Sequence, residues 1–246
     1  MQPRCDNRAL TGFDELRIWG SQGHAGAQFA LGLAYAEGNG VSQDYAEAAK
    51  WYRLAATRRH AGAQLNLGVL FAEGQGVRQD YQEAAKWYRL AAKQGNAGGQ
   101  FNLGLMYLQG QGVPQDYSKA VKWLRLAAAQ GEVHAQFNLG VMYIRGEGVP
   151  PDYVQAHMWF NLAAAGGNAH AREGRALAAS LLTPGEIAEA QRLARLRQPR
   201  KRPSTVQEGC AGQTSQVAFR VGDWSVICDL RQSSCGARSC AATGLR

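Results

Sequence analysis

Residues 24–59 read HAGAQFALGLAYAEGNGVSQDYAEAAKWYRLAATRR, and the same pattern returns three more times without an insertion. Trp51, Trp87, Trp123 and Trp159 stand 36 residues apart, as do Gln28, Gln64, Gln100 and Gln136. A fixed period of this size marks a solenoid, in which each repeat buries its apolar face on the next. The expected fold class is therefore all-α, a solenoid of helix-turn-helix repeats at 24–59, 60–95, 96–131 and 132–167. Such a fold offers a long repetitive surface, suited to holding another macromolecule more than to housing one reactive pocket.

Each repeat divides at a glycine-rich joint. Before it, residues 61–73 carry Leu67 and Phe71 four apart, with Leu65, Val69 and Ala72 on an adjacent stripe. That is helical periodicity over two faces, as a helix between neighbouring helices requires. The joint reads Gly38-Asn39-Gly40-Val41 and recurs from Gly74, Gly110 and Gly146. Its first glycine stands where a helix C-terminus takes a left-handed residue. No Gly-Lys-Ser/Thr follows and no strand precedes, so the joint reads as a turn and not as a phosphate loop. Asp44, Asp80, Asp116 and Asp152 then cap the second helix, and Glu47 and Glu83 follow three residues later in a capping-box pattern. The second helix is expected to carry Ala48, Trp51, Leu54 and Ala55 on one stripe, with the Trp and Tyr rings filling the space between helices. Gly32, Gly68, Gly104 and Gly140 lie inside the first helix, where glycine costs about 1 kcal/mol relative to alanine. Their recurrence predicts a close approach by a large ring, with the Trp as the candidate.

The whole pattern, A-x-A-Q-x-x-L-G-x-x-Y-x-x-G-x-G-V-x-x-D-Y-x-x-A-x-x-W-Y-x-x-A-A, resembles the Sel-1-like repeat, a relative of the tetratricopeptide repeat. The resemblance covers about residues 24–170 closely and extends more loosely to about residue 198. It implies a right-handed α-superhelix and a non-catalytic adaptor or scaffold, in a family whose bacterial members include signalling, envelope and host-contact proteins. A cysteine-rich branch of that family is linked to penicillin binding through paired cysteines within its repeats. Residues 24–198 contain no cysteine, which argues against that role.

At the ends the pattern loosens. Residues 1–23 are read as an N-terminal segment, with a degenerate capping helix over 13–19. Residues 170–198 form a fifth, divergent repeat, its first helix running to Leu182. Thr183-Pro184-Gly185-Glu186 then signals a new helix start, with Thr as N-cap, Pro at the first position and Glu at the third. Arg192, Arg195 and Arg197 give that helix the polar outer face of a terminal cap. Residues 199–246 differ in kind: a basic linker around Arg200-Lys201-Arg202, then a Cys-rich tail, disordered or a small hairpin. Val217, Phe219 and Val221 alternate, Gly222-Asp223 follows, and Trp224, Val226 and Cys228 alternate again, the mark of a hairpin with a two-residue turn. Residues 222–228 faintly resemble the start of invasion-associated locus B proteins, over barely twenty residues.

The chain carries 27 basic and 19 acidic residues, a net charge of +8, and nearly all of the excess lies from Arg192 onward. A basic tail can meet nucleic acid or anionic lipid, but a solvated linker explains it as well. With no DNA-binding motif, RNA-binding signature or interleaved basic and aromatic stripe, no nucleic-acid partner is expected. Cys5, Cys210, Cys228, Cys235 and Cys240 fit no zinc-knuckle spacing. Either a tail disulfide or free thiols fit them, and neither metal nor cofactor is expected. Residues 1–20 lack the apolar core of a signal peptide and no stretch is long enough to span a membrane. Taken literally, that places the chain in the cytoplasm; a start lying upstream would make it periplasmic or secreted.

No Ser-x-x-Lys, Gly-x-Ser-x-Gly or His-Glu-x-x-His is present, and no catalytic residue is assigned. The five histidines are read as lying at joints or on helix surfaces. In helical-hairpin solenoids the first helices usually line the concave side. Asn66, Asn102 and Asn138 share one position there, and an amide can pair with both the donor and the acceptor of a peptide backbone. The same amides can equally tie neighbouring helices together. Further along, Glu37, Glu73, Gln109 and Arg145 share a position that passes from acidic to basic, which would orient a bound peptide. Two functions are weighed: an adaptor binding a protein or peptide in this groove, and an exported bacterial envelope or host-interaction factor whose Cys-rich tail makes the contact. The partner and the oligomeric state are not legible.

Overall fold

In the computed structural model, residues 12–197 are described with their side chains, and 216–221, 224–229 and 241–244 by their backbone. The chain divides into two compact units, residues 1–63 with 203–246, and residues 64–202. Eleven helices occupy the described residues: α1 (Gly12–Ser21), α2 (Ala25–Glu37), α3 (Tyr45–Thr57), α4 (Ala61–Glu73), α5 (Tyr81–Lys93), α6 (Ala97–Gln109), α7 (Tyr117–Ala129), α8 (Val133–Arg145), α9 (Tyr153–Ala165), α10 (His170–Ser180) and α11 (Pro184–Arg197). Helices α2 to α9 are the first and second helices of four successive repeats, so the fold is an α-solenoid of helix pairs.

The joint does what its glycines require. Gly38, Gly74, Gly110 and Gly146 take φ of 74°, 72°, 71° and 70°, a backbone that closes the helix C-terminus and that glycine alone adopts without strain. Asp44, Asp80, Asp116 and Asp152 accept from backbone N–H groups in the first turn of the following helix. The capping box is not completed by Glu47 and Glu83. The backbone N–H of each Asp donates instead to Tyr35, Phe71, Tyr107 or Tyr143 on the preceding helix. The two glutamates therefore pair with Lys50 and Lys86, one turn along. A full capping box does form at α11, where Thr183 N donates to Glu186 Oε2 at 2.8 Å and Glu186 N donates back to Thr183 Oγ1 at 3.4 Å. The Thr183 N–H and the Thr183 hydroxyl both donate to this carboxylate and hold it below the usual range.

Two expectations about packing are corrected. The side chain facing each helical glycine, a ring in three of the four repeats, belongs to the residue after the Trp. A methyl group on Gly32, Gly68 or Gly140 would stand 2.4, 2.6 and 2.6 Å from the rings of Tyr52, Tyr88 and Phe160, and one on Gly104 would meet Leu124. The core stripe of the second helix is accordingly Ala48, Tyr52 and Ala55 and their repeats, all buried. Trp51, Trp87 and Trp123 are only half-buried, while Leu54, Leu90 and Leu126 are 43%, 44% and 49% exposed. A rotation of one residue moves a helical side chain by about 100°, enough to exchange core and surface.

In the first unit α1 packs on α2, with Phe13 and Tyr35 edge to face at 5.8 Å and the buried Gly20 carbonyl accepting from Gln28 Nε2 at 3.0 Å. Its strands β1 (Gln216–Val221), β2 (Trp224–Asp229) and β3 (Ala241–Gly244) form an antiparallel sheet in that order, with Val221 opposite Trp224. Val217 stands opposite Cys228 and Phe219 opposite Val226; β3 was not anticipated. The linker 199–202, the turn 222–223, and Cys5, Cys210, Cys235 and Cys240 lie outside the described residues.

In the second unit each second helix packs on the next first helix, α5 on α6 and α7 on α8, and α9 is covered by both α10 and α11. This extra cover is why Trp159 and Leu162 are buried where their earlier equivalents are not.

Candidate functional site

The binding-surface candidates sit on the first helices of the second unit. Asn66, Asn102 and Asn138 occupy the same place on α4, α6 and α8, each half-buried. The Asn138 amide donates to the His134 carbonyl at 2.8 Å, one turn back on its own helix. That bond fixes the side chain along the helix and does not link it to a neighbour. Glu73, Gln109 and Arg145 close the same three helices and are exposed. Arg145 faces Glu147 at 3.7 Å, a long surface pair worth little. Glu37, in the first unit, is exposed and accepts from Asn39 at 2.6 Å.

Two rows of contacts were not assigned from the sequence. The buried glutamines bridge repeats. Gln100 Nε2 donates across the boundary to the Ala92 carbonyl at 3.3 Å and Gln136 Nε2 to Ala128 at 3.2 Å, while within each repeat Gln94 and Gln130 reach back to Gln64 Oε1 and Gln100 Oε1 at 2.6 and 2.8 Å. The 36-residue spacing of these glutamines was plain, but spacing alone does not say which neighbour an amide reaches. The second row pairs guanidinium with phenol: Arg89 donates to the Tyr107 hydroxyl at 3.2 Å and Arg125 to that of Tyr143, again across the repeat boundary. Arg53, Arg89 and Arg125 recur at one position, which was the available signal.

One histidine departs from the surface reading. His157 is 3% exposed inside α9, and burial, with Arg175 nearby, lowers its pKa from the ordinary value. His60 is half-buried and its Nδ1 accepts from Ala63 N at 3.1 Å, an N-cap of α4. Among the described residues, no three His, Cys, Asp or Glu side chains gather in a group able to hold a metal. No helix there is long and apolar enough to cross a membrane.

Comparison with known proteins agrees with this geometry. The Sel1 repeat family model matches residues 25–60, 61–96, 97–132 and 133–168. Among solved structures, the c5321 protein of uropathogenic Escherichia coli, described as a protective antigen with an SLR fold, is 36% identical with a TM-score of 0.68, over 76% of this chain and 41% of that one. A Sel1 repeat protein of Oxalobacter formigenes is 33% identical with a TM-score of 0.63, over 77% of both chains. The chain thus spans less than half of the Escherichia coli antigen. No curated protein gives a match. Sel1 repeat proteins are in general non-catalytic scaffolds that bind protein partners. With four matched repeats over more than half of its length, this chain is a Sel1 repeat protein of the tetratricopeptide-repeat-like superfamily.

Proposed function

We propose that the chain is an adaptor whose first helices hold an extended segment of a protein partner. The observation that carries this reading is the row Asn66, Asn102 and Asn138, one half-buried amide per repeat on three successive first helices. An amide side chain offers a donor and an acceptor together, the pair that a peptide backbone presents. Recognition of this kind fixes a backbone without reading side chains. The passage from Glu73 through Gln109 to Arg145 adds polarity, placing the basic end of the bound segment toward α4 and its acidic end toward α8.

The test is the affinity of a captured partner for Asn102→Ala and Asn138→Ala chains, measured beside their stability. The reading expects weaker binding, by about tenfold for the pair, with little change in the unfolding midpoint. Lower stability with affinity intact would make the asparagines structural and remove the groove assignment.

A further inference from the structure

The divergent fifth repeat forms an open cleft against α9. Its volume is about 250 Å³, and its lining comes from His157 and Asn161 on α9, Arg175 on α10, and Gln191 and Arg195 on α11. Every one of these side chains is polar, and none is a carboxylate. Neither Arg175 nor Arg195 forms an ion pair among the described residues. Arg175 Nη1 donates to Asn161 Oδ1 at 3.0 Å, which holds its guanidinium at the cleft.

The repeat itself shows that packing does not demand these residues. Thirty-six-residue steps back from His157 lead to Val121, Ala85 and Ala49, all buried and apolar; the same steps back from Arg175 lead to Leu139, Leu103, Leu67 and Leu31, each 0% exposed. Two core positions have thus become basic or titratable in one place. His157 is 97% buried by the same measure, yet its Nδ1 has no hydrogen-bond partner. A buried polar atom left unpaired is costly, and the residue that carries it belongs to the lining of the cleft.

We propose that this cleft binds a small oxyanion, a carboxylate or a phosphate, between Arg175 and Arg195, with His157, Asn161 and Gln191 completing the donor set. Guanidinium groups bind both anions through paired N–H bonds, and Asn and Gln amides add neutral donors. His157, buried in α9, lines the inner side of the cleft, where a proton on its unpaired Nδ1 would make it a further donor. The site lies outside the asparagine row and stands whether or not that row binds a peptide.

The experiment titrates the full chain, in chloride buffer, with inorganic phosphate and separately with acetate, following heat and the His157 ring resonances. The proposal expects saturable 1:1 binding of at least one anion with movement of His157; the anion that binds identifies the chemistry. Arg195→Gln, on the exposed side of the last helix, weakens it about tenfold. His157→Val restores the residue of the preceding repeat, so it folds and still loses binding by a similar factor. Absence of saturation by either anion up to about 10 mM overturns the proposal, as does binding that both variants leave unchanged.

Discussion

Gly110 and Gly112 share a left-handed backbone, with φ of 71° and 65°, yet a methyl group would meet very different surroundings at the two. At Gly110 it would lie 3.3 Å from the Gln115 side chain; at Gly112 it would fall 2.1 Å from the Tyr81 carbonyl oxygen, on backbone that cannot step aside. Both alanine variants carry the left-handed penalty of about 1–2 kcal/mol, so the difference isolates the contact between repeats. Urea unfolding is expected to show Gly112→Ala as clearly the more damaging, by at least about 1 kcal/mol; equal losses would remove the close approach. His157 gives a second prediction at this scale. Its folded pKa lies below the unfolded 6.5, so between those values the unfolded chain binds more protons. Its contribution to stability is therefore complete above pH 6.5 and is lost as pH falls through the folded pKa. His60, also lowered by burial, acts in the same direction. His157→Val should flatten, without abolishing, the fall in unfolding midpoint below pH 6.5. The helical glycines show what was legible here. Their recurrence announced a close ring, but the ring is Tyr52 and not Trp51, because a period identifies positions without fixing the helix rotation.

At the scale of the element, the helices were readable because their ends carry their own chemistry. The left-handed glycines Gly38, Gly74, Gly110 and Gly146 directly follow α2, α4, α6 and α8, and Asp44, Asp80, Asp116 and Asp152 directly precede α3, α5, α7 and α9. Asp116→Ala is expected to cost about 1 kcal/mol, seen as a lowered thermal midpoint, since Asp116 caps α7 through Lys119 N and also pairs with its ammonium. Contacts between elements were less legible. Gln100 is 4% exposed and serves both neighbours at once, donating to Ala92 and accepting from Gln130. Gln100→Leu keeps the volume and removes both bonds, leaving the Gln130 amide and the Ala92 carbonyl to find other partners. The expected loss is about 1–3 kcal/mol, whereas Gln130→Ala, exposed at its helix end, should cost less. A neutral Gln100→Leu would mean that apolar packing alone joins the repeats. The same limit explains why the core stripe was misplaced: Leu54, Leu90 and Leu126 are leucines at a regular spacing, and only the neighbouring helix decides that they face outward.

For the whole molecule, solenoid stability is a sum of repeats and the interfaces between them. Helices α10 and α11 cover α9, burying Trp159 and Leu162. Their divergence from the repeat was legible in the sequence. The cleft they close around His157 was not, since its residues come from three helices and stand out only against the apolar residues of earlier repeats. The family reading, a scaffold for protein partners, follows from the repeat itself; which surface meets the partner is the account's central claim. Affinity capture from the native host, comparing residues 1–199 with the full chain and read by mass spectrometry, tests it most directly. The account predicts one shared set of captured proteins, held by the repeats with or without the tail. Proteins captured by the full chain alone would contradict it and move the active surface to the Cys-rich tail.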